Sequence, residues 1–471
     1  MNSNLKISIY IVIGILLFSF SAISAIVNLT EGAIALCLIG VFTISIYIVK
    51  KQQQFFSLSI VFWLFSALYG LSTPILIIRG EELPAVFAFG NLAENVNPFL
   101  VAYSLSCIGF ILGFITNKSF DIRNKQIQEI NLNENIVKTC IYISAVFASL
   151  FEVINMLRIG GFSMLLLGKG VYQSLAGDLF LTLPSESMCI VCGMFFGMHY
   201  GYKKSKNEKA KYMITKTIML LIPFLFCKII LGQRGVLVST ALLFLASYTV
   251  FCSIKRITVK HIITILVIYL FLIFLYTNRS IVALLMTNPS EFMDKAFNLE
   301  RLSANINPAN NEFGAAFGNF CVFFEKYGMD FEKYYGLTYL EGLLVPIPSF
   351  LFLEGKPLAI TYVFRDEFFS SWATYSRIAS TGFSSILEAY INGGFIGVVI
   401  VYAVIGKLIY SFDRLRLHYV GFKGIILTSL LVPTCMNFSR NSFGGTFGVY
   451  IWNCIFALSI YFLAFNIQKN R

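Results

Sequence analysis

Long apolar stretches recur along the whole chain, and they restrict its fold more than any other feature. Each is close to the ~20 residues that a helix needs to cross a bilayer. They lie at residues 7–27, 33–49, 55–78, 98–116, 138–157, 184–200, 214–231, 236–253, 262–278, 383–405, 421–437 and 444–466. The sequence therefore predicts an all-α, polytopic integral membrane protein with about twelve transmembrane helices.

The composition supports this class, and the distribution of charge predicts the orientation. Only 13% of the residues are charged and 57% are hydrophobic, whereas a soluble domain carries about 25% charge. The net charge of +12 does not indicate nucleic-acid binding, because most of the basic residues lie in alternate short loops between spans. By the positive-inside rule these loops are cytoplasmic, which places both termini in the cytoplasm.

One connection is far longer than the others and divides the chain. Residues 1–278 would carry spans one to nine, residues 279–381 one large external loop, and residues 382–471 spans ten to twelve. The loop is too long for a simple connector and too apolar for disorder. Residues 290–302 predict a short helix. Residues 311–327, with Phe at helical spacing, predict an amphipathic helix that lies on the membrane or covers a cavity.

Several functional classes are disfavoured. The chain contains no G-x-x-x-x-G-K-[ST] phosphate-binding motif, so ATP-driven transport is not expected. Nine of the ten cysteines fall in apolar spans and are interpreted as packing residues. No Asp-x-Asp occurs in the external loops, and Glu81-Glu82 alone is a weak metal signal. We therefore expect chemistry without a metal or another cofactor.

Arginines occur at the external ends of spans, where positive charge is disfavoured. They are Arg234, Arg279, Arg377 and Arg440. Interfacial anchoring is one interpretation, since long cationic side chains extend to the membrane surface. The planar guanidinium also suits bidentate binding of phosphate. Several of these groups facing the outer leaflet would form a pyrophosphate site.

Glu388 lies within an apolar span directly after the large loop. An ionisable group inside a span is costly and usually marks function. Ser384 and Asn392 share its helix face at a spacing of four residues. The helix is predicted to begin near Phe383, which places Glu388 ~8 Å below the external surface. A partly desolvated carboxylate could act as a general base toward a sugar hydroxyl. The alternative is a salt bridge with Arg377 or Arg234.

An ordered set of short motifs resembles a known family, the O-antigen polymerases of the Wzy type. The resemblance covers roughly residues 220–445. It consists of an Arg-Gly pair at a span start, a Tyr-Gly-x-Thr-Tyr element, a proline-rich stretch, a Lys-Pro pair and a Glu-x-Tyr-x-Asn-x-Gly-x-x-Gly element. These are residues 234–235, 335–339, 345–348, 356–357 and 388–397.

The resemblance implies a fold similar to membrane-embedded glycosyltransferases of the GT-C class. It also implies a reaction at the periplasmic face of the bacterial inner membrane. The growing glycan would move from undecaprenyl pyrophosphate onto a new lipid-linked repeat unit, with a chain-length regulator as a protein partner. The expected catalytic residues are Glu388, Arg234 and Arg377. A loop acid such as Asp366 or Glu367 is the alternative to Glu388 as the base. The expected substrate-binding residues are Arg279, Arg440, Lys356, Tyr339 and Asn392.

Two alternatives remain. An O-antigen ligase would be similar in plan, but ligases use a periplasmic histidine. The three histidines here, His199, His261 and His418, map to cytoplasmic span ends. A flippase for lipid-linked oligosaccharide would distribute charge along its spans and tend to show two similar halves, and no repeat is visible in the sequence.

Overall fold

A computed structural model describes the chain at residues 3–52, 54–79, 94–116, 132–163, 182–208, 213–252, 254, 258–278, 281–282, 284–306, 312–352, 356–369, 383–418 and 421–470. The first ten helices are α1 Ser3–Ile26, α2 Thr30–Gln52, α3 Leu58–Leu71, α4 Pro74–Ile78, α5 Val96–Ile115, α6 Glu134–Arg158, α7 Thr182–Ser205, α8 Met213–Ile230, α9 Arg234–Phe251 and α10 Val259–Asn278. The others are α11 Leu284–Thr287, α12 Pro289–Ala296, α13 Leu299–Ala304, α14 Ala315–Tyr327, α15 Leu337–Leu344, α16 Ile360–Phe368, α17 Ser385–His418, α18 Phe422–Phe438 and α19 Phe443–Lys469.

The predicted class, all-α and polytopic, is confirmed. Across the described residues there is no β-strand, and nine helices are long and apolar enough to cross a membrane. Helices α3 and α18 are apolar but shorter, and α7 coincides with the sixth predicted span. Each of the twelve predicted spans therefore coincides with helical residues, although the third is divided between α3 and α4. All ten cysteines are free thiols, and nine of them are buried, as expected of packing residues.

Two pairs of helices approach closely because one partner presents glycine. Gly109 and Gly113 of α5 face the backbone of α17 at Val399 and Ala403. A Cβ at Gly113 would lie 1.8 Å from the Ala403 carbonyl oxygen, so no larger residue fits there. Helices α7 and α9 meet in the same way, through three glycines of α7. Small residues at helix contacts allow this backbone approach inside a membrane.

The loop helices gather at one end of the bundle, which we call the loop end. Phe317 and Phe320 of α14 are fully buried and pack edge-on against Phe99 at the start of α5. Of the two possibilities left open for residues 311–327, α14 therefore covers the bundle. The single helix predicted at 290–302 is two helices, because α12 ends at Ala296 and Asn298 caps the start of α13. The division of the chain at residues 279 and 382 stays a prediction.

The opposite end of the bundle is closed by a buried ion pair. Asp413 and Arg416 of α17 are both fully buried. Asp413 accepts hydrogen bonds from the backbone amides of Leu58 and Ser59 at the start of α3 (2.7 and 2.9 Å). Arg416 donates to the Ala246 carbonyl near the end of α9 (3.0 Å). Each charge thus satisfies helix-end groups that have no partner within their own helix.

Candidate functional site

Helix α17 is a hairpin rather than one straight span. Its backbone leaves helical geometry at Gly393 and Gly394, and Gly394 has φ of +61°. Ser385 and Tyr402 lie 17 residues apart, which is about 25 Å in a straight helix. Their hydroxyl oxygens are nevertheless 2.7 Å apart. The short arm, residues 385–392, therefore folds back along the long arm, residues 395–418.

The hairpin corrects two predictions made from the sequence. The tenth span is not a single helix over 383–405, and the depth of Glu388 cannot be counted along a straight helix from its start. Gly397 of the long arm lies against the short arm of the same hairpin. A Cβ there would lie 2.7 Å from the Ala389 carbonyl oxygen. Glycine at 394 supplies the left-handed backbone of the turn, which other residues adopt only with strain.

Residues 334–336 of the loop attach to the end of the short arm through the backbone. The amides of Tyr334 and Tyr335 donate to the carbonyls of Ile391 and Asn392 (3.2 and 3.0 Å). The Gly336 amide donates to the Asn392 side-chain oxygen (2.8 Å). The turn at Gly393 leaves these carbonyls without the partners of a continuing helix. The loop segment supplies the missing donors and fixes the hairpin to α15.

Glu388 is buried completely where three elements meet. Its Oε1 accepts a hydrogen bond from the Thr338 hydroxyl of α15 (3.2 Å). Its Oε2 accepts one from the Phe443 amide, the first residue of α19 (2.6 Å). A carboxylate is stabilised at this positive end of a helix. Asn392, on the same face, donates to the Thr338 hydroxyl (2.6 Å). The carboxylate therefore joins the short arm of α17 to α15 and α19.

Tyr339 and Lys356 lie beside this junction. The Tyr339 ring packs edge-on against Phe443, with ring centres 5.7 Å apart. Its hydroxyl is buried and has no hydrogen-bond partner among the described residues, and burial raises the pKa of Tyr339 well above its usual value. The Lys356 ammonium donates to the Val345 carbonyl just after α15 (2.5 Å). Burial lowers the pKa of Lys356.

The structure brings Arg234 and Arg440 together at the loop end. The Arg234 guanidinium carbon lies 4.0 Å from the centre of the Tyr276 ring, over its face. A Cβ at Gly235 would lie 3.5 Å from Nη2 of Arg440. Arg440 is in the turn between α18 and α19, three residues before Phe443. The two arginines thus belong to the same end of the bundle as Glu388.

The remaining predicted residues divide into two groups. Arg279 and Arg377 lie outside the described residues. Of the alternative loop acids, Asp366 accepts a hydrogen bond from the neighbouring Arg365 guanidinium (2.7 Å). Glu367 pairs with Lys326 (2.7 Å), and this pairing lowers the pKa of Glu367 despite partial burial. Both acids are therefore engaged by loop cations.

A second charged cluster at the loop end was missed by the sequence analysis. The Lys228 ammonium of α8 lies 3.1 Å from a carboxylate oxygen of Glu152 in α6 and 3.1 Å from one of Glu186 in α7. Ser185 donates to Glu152 (2.7 Å). The signal was present in the sequence, because each of the three charges interrupts an apolar run. Only the packing of the helices shows that they pair.

Metal-ligating groups do not cluster in the part of the chain that the structure covers. No three His, Cys, Asp or Glu side chains are placed there to hold an ion. Independence from metal stays a prediction. The cations that the described structure offers at the loop end are arginine and lysine side chains, including Arg234, Arg440 and Lys356.

The fold and this arrangement define a class: an all-helical, multi-pass membrane protein whose charged side chains gather under a helical loop at one end. The comparison with protein families identifies which such protein it is. The family model O-antigen polysaccharide polymerase Wzy matches residues 6–471, nearly the whole chain, and the chain therefore belongs to that family. No curated protein and no solved structure matches it.

Membership of the family has direct consequences. The protein polymerises O-antigen repeat units, acting on lipid-linked oligosaccharides in the bacterial inner membrane. Its activity is that of a glycosyltransferase-like polymerase. The resemblance seen in the short motifs of residues 220–445 is confirmed. The family match also covers the N-terminal half of the chain.

Proposed function

We propose that the protein transfers the growing O-antigen chain from undecaprenyl pyrophosphate onto a new lipid-linked repeat unit at the loop end, on the periplasmic face. A hydroxyl of the new unit attacks the anomeric carbon of the growing chain. The bond between that carbon and the pyrophosphate oxygen breaks, and undecaprenyl pyrophosphate leaves. A direct displacement of this kind would invert the anomeric centre.

The observation that carries the proposal is that Arg440 lies against Gly235, the residue next to Arg234, at the loop end. A pyrophosphate leaving group gains negative charge as its bond to the sugar breaks, and fixed guanidinium groups stabilise that charge. Tyr276 holds the plane of Arg234 by stacking against it (4.0 Å). We expect Arg279 and Arg377 to add to this positive surface, which would make a divalent metal unnecessary.

Glu388 is proposed to fix the relative positions of the helices that form the site. Both of its carboxylate oxygens already accept hydrogen bonds from the protein, and its side chain is fully buried. It fixes the start of α19, three residues after Arg440, against α15. The same contacts place Tyr339, Asn392 and Lys356 around one junction, where we expect the glycan to bind. Its role as a general base stays a prediction from the sequence.

The test is complementation of a strain that lacks this polymerase. The strain would carry the wild-type protein, Arg234→Ala, Arg440→Ala or the control Arg158→Ala. Arg158 is an exposed arginine at the end of α6. The lipopolysaccharide of each complemented strain would be separated on a gel. A lost charged contact costs about 1.5–3 kcal/mol, so we expect at least a tenfold loss of long chains from Arg234→Ala and Arg440→Ala.

Single-unit capping of lipopolysaccharide should survive in both variants, because it does not need polymerisation. Loss of capping together with the ladder would favour the ligase or the flippase. An unchanged ladder, with protein amounts equal to wild type, would overturn the pyrophosphate role. A co-purification of the wild-type protein with a chain-length regulator would test the proposed protein partner separately.

A further inference from the structure

We infer that Glu186 is the carboxylate that receives the proton from the acceptor hydroxyl during glycan transfer. The inference rests on the proposed function and assigns a group that it leaves open. It comes from the cluster of Lys228, Glu152 and Glu186, which lies outside the junction around Glu388. This cluster contains two carboxylates and one ammonium group.

The packing of α7 on α9 sets the level of Glu186 in the bundle. Gly193, Gly197 and Gly201 of α7 lie against Thr240, Phe244 and Tyr248 of α9, respectively. Each pair is 47 residues apart, so the two helices run in parallel with a constant register. Continued about two turns toward the start of α7, that register places Glu186 beside Gln233. Arg234 is the next residue.

Hydrogen bonds support the same placement independently. The backbone amide of Gln233 donates to the backbone carbonyl of Lys228 (3.0 Å). The side-chain ammonium of Lys228 lies 3.1 Å from Glu186. Gln233 and Glu186 therefore both contact Lys228. The geometry places the carboxylate at the turn that presents Arg234, where the leaving group of the reaction is proposed to bind.

Exposure distinguishes Glu186 from the other intramembrane acids. The side chains of Glu152 and Glu388 are fully buried, whereas 27% of the Glu186 side chain is exposed. Part of the Glu186 side chain therefore remains available for contact with a substrate hydroxyl. A base must come within hydrogen-bond distance of the proton that it removes, and Glu186 meets this requirement best.

A second polar group at this level lacks a partner. The Gln233 side chain is nine-tenths buried, and its amide oxygen accepts no hydrogen bond within the described structure. A buried acceptor without a donor is costly. A sugar carries several hydroxyl donors, so the acceptor glycan is a ligand of suitable chemistry. One hydroxyl would donate to Gln233 and the reacting one to Glu186.

Lys228 and Glu152 act as positioning residues for Glu186. The ammonium is fully buried between the two carboxylates, which fixes the direction of the Glu186 side chain. In the reaction, the acceptor oxygen forms its bond to the anomeric carbon and passes its proton to a Glu186 oxygen. The electron pair of the broken bond leaves with the pyrophosphate. The proton on Glu186 returns to solvent before the next cycle.

The test uses purified full-length protein and the lipid-linked repeat units that accumulate in a polymerase-deletion strain. Polymerisation rate and binding of these units would be measured for wild type, Glu186→Gln and the control Glu31→Gln. Glu31 is an exposed carboxylate at the start of α2. Loss of a general base costs ~10²–10⁴-fold in rate. We expect such a loss from Glu186→Gln with binding of the units little changed, as for an interaction made mainly in the transition state.

Glu186→Asp keeps a negative charge near Lys228 but withdraws the carboxylate by one methylene group. We expect it to fold like wild type and to lose about 10–100-fold in rate, because misplacement by ~1 Å has effects of this size. A wild-type rate in Glu186→Asp or Glu186→Gln would overturn the inference. The proposed function fails separately if the wild-type protein forms no polymer from these units.

Discussion

At the scale of single residues, burial decides what a charge can do. Glu388 and Glu186 both interrupt apolar helices, and the sequence singles out only Glu388, through the motif at residues 388–397. Glu388 is enclosed and bonded on both oxygens, whereas Glu186 is partly exposed. The sequence could predict that an acid within a span matters. It could not predict the partner, because Thr338, Phe443 and Lys228 are far from these acids in the chain.

Removing the Glu388 side chain should destabilise the protein. Glu388→Ala leaves the Thr338 hydroxyl and the Phe443 amide without their shared acceptor, and hydrogen bonds to a charged group are worth about 1.5–3 kcal/mol each. We expect a clear drop in the thermal unfolding temperature of the detergent-purified protein. Glu388→Gln should lower it less, because the amide oxygen still accepts from Phe443.

The control for this prediction is Glu31→Ala, which removes an exposed carboxylate at the same end of the bundle. It should unfold at the wild-type temperature. If Glu388→Ala also does so, the carboxylate does not hold α15 and α19 together, and its proposed positioning role is wrong.

At the scale of elements, the helices were predictable and the hairpin was not. Apolar length locates all twelve spans, because only a helix satisfies its own backbone in lipid. In the sequence, Gly393 and Gly394 are as typical of a packing surface on one helix as they are of a turn. What turns the chain there is the long-range contact of Ser385 with Tyr402 and the loop donors at residues 334–336. No local pattern contains that information.

The hairpin predicts that replacing glycine by alanine has different effects at two positions. Gly397→Ala places a methyl group 2.7 Å from the Ala389 carbonyl oxygen, so the two arms must separate. Overpacking of this kind costs about 1–3 kcal/mol. We expect lower thermal stability and a weakened lipopolysaccharide ladder. Gly32→Ala in α2, with no atom within 4 Å of the new methyl group, should be tolerated.

Equal stability of Gly397→Ala and Gly32→Ala in the same unfolding assay would contradict the hairpin. A straight α17 would leave room at Gly397, since Ala389 would lie about 12 Å further along the helix axis.

At the scale of the whole molecule, charge is sorted between two ends. The loop end collects the site around Arg234, Glu186 and Glu388, and the other end is closed by the pair of Asp413 and Arg416. The distribution of basic loops predicts that the second end is cytoplasmic. The proposed periplasmic reaction requires that orientation.

Cysteine labelling tests the orientation directly. In intact cells, a membrane-impermeant maleimide should label Glu31→Cys, at the loop end, but not Asn470→Cys after α19. Nine of the ten native cysteines are buried, which keeps the background low. After the cells are opened, Asn470→Cys should also react. The reverse pattern would place the arginines in the cytoplasm and contradict a periplasmic reaction.

The joint between the loop and the α17 hairpin uses mostly main-chain groups, at Tyr334, Tyr335 and Gly336. An amide donates in the same way whatever side chain its residue carries, proline excepted. The Tyr335 side chain is therefore free to point outward, and 83% of it is exposed. We therefore expect the exposed Tyr335 ring to be presented on a fixed backbone, beside the junction where the glycan is proposed to bind.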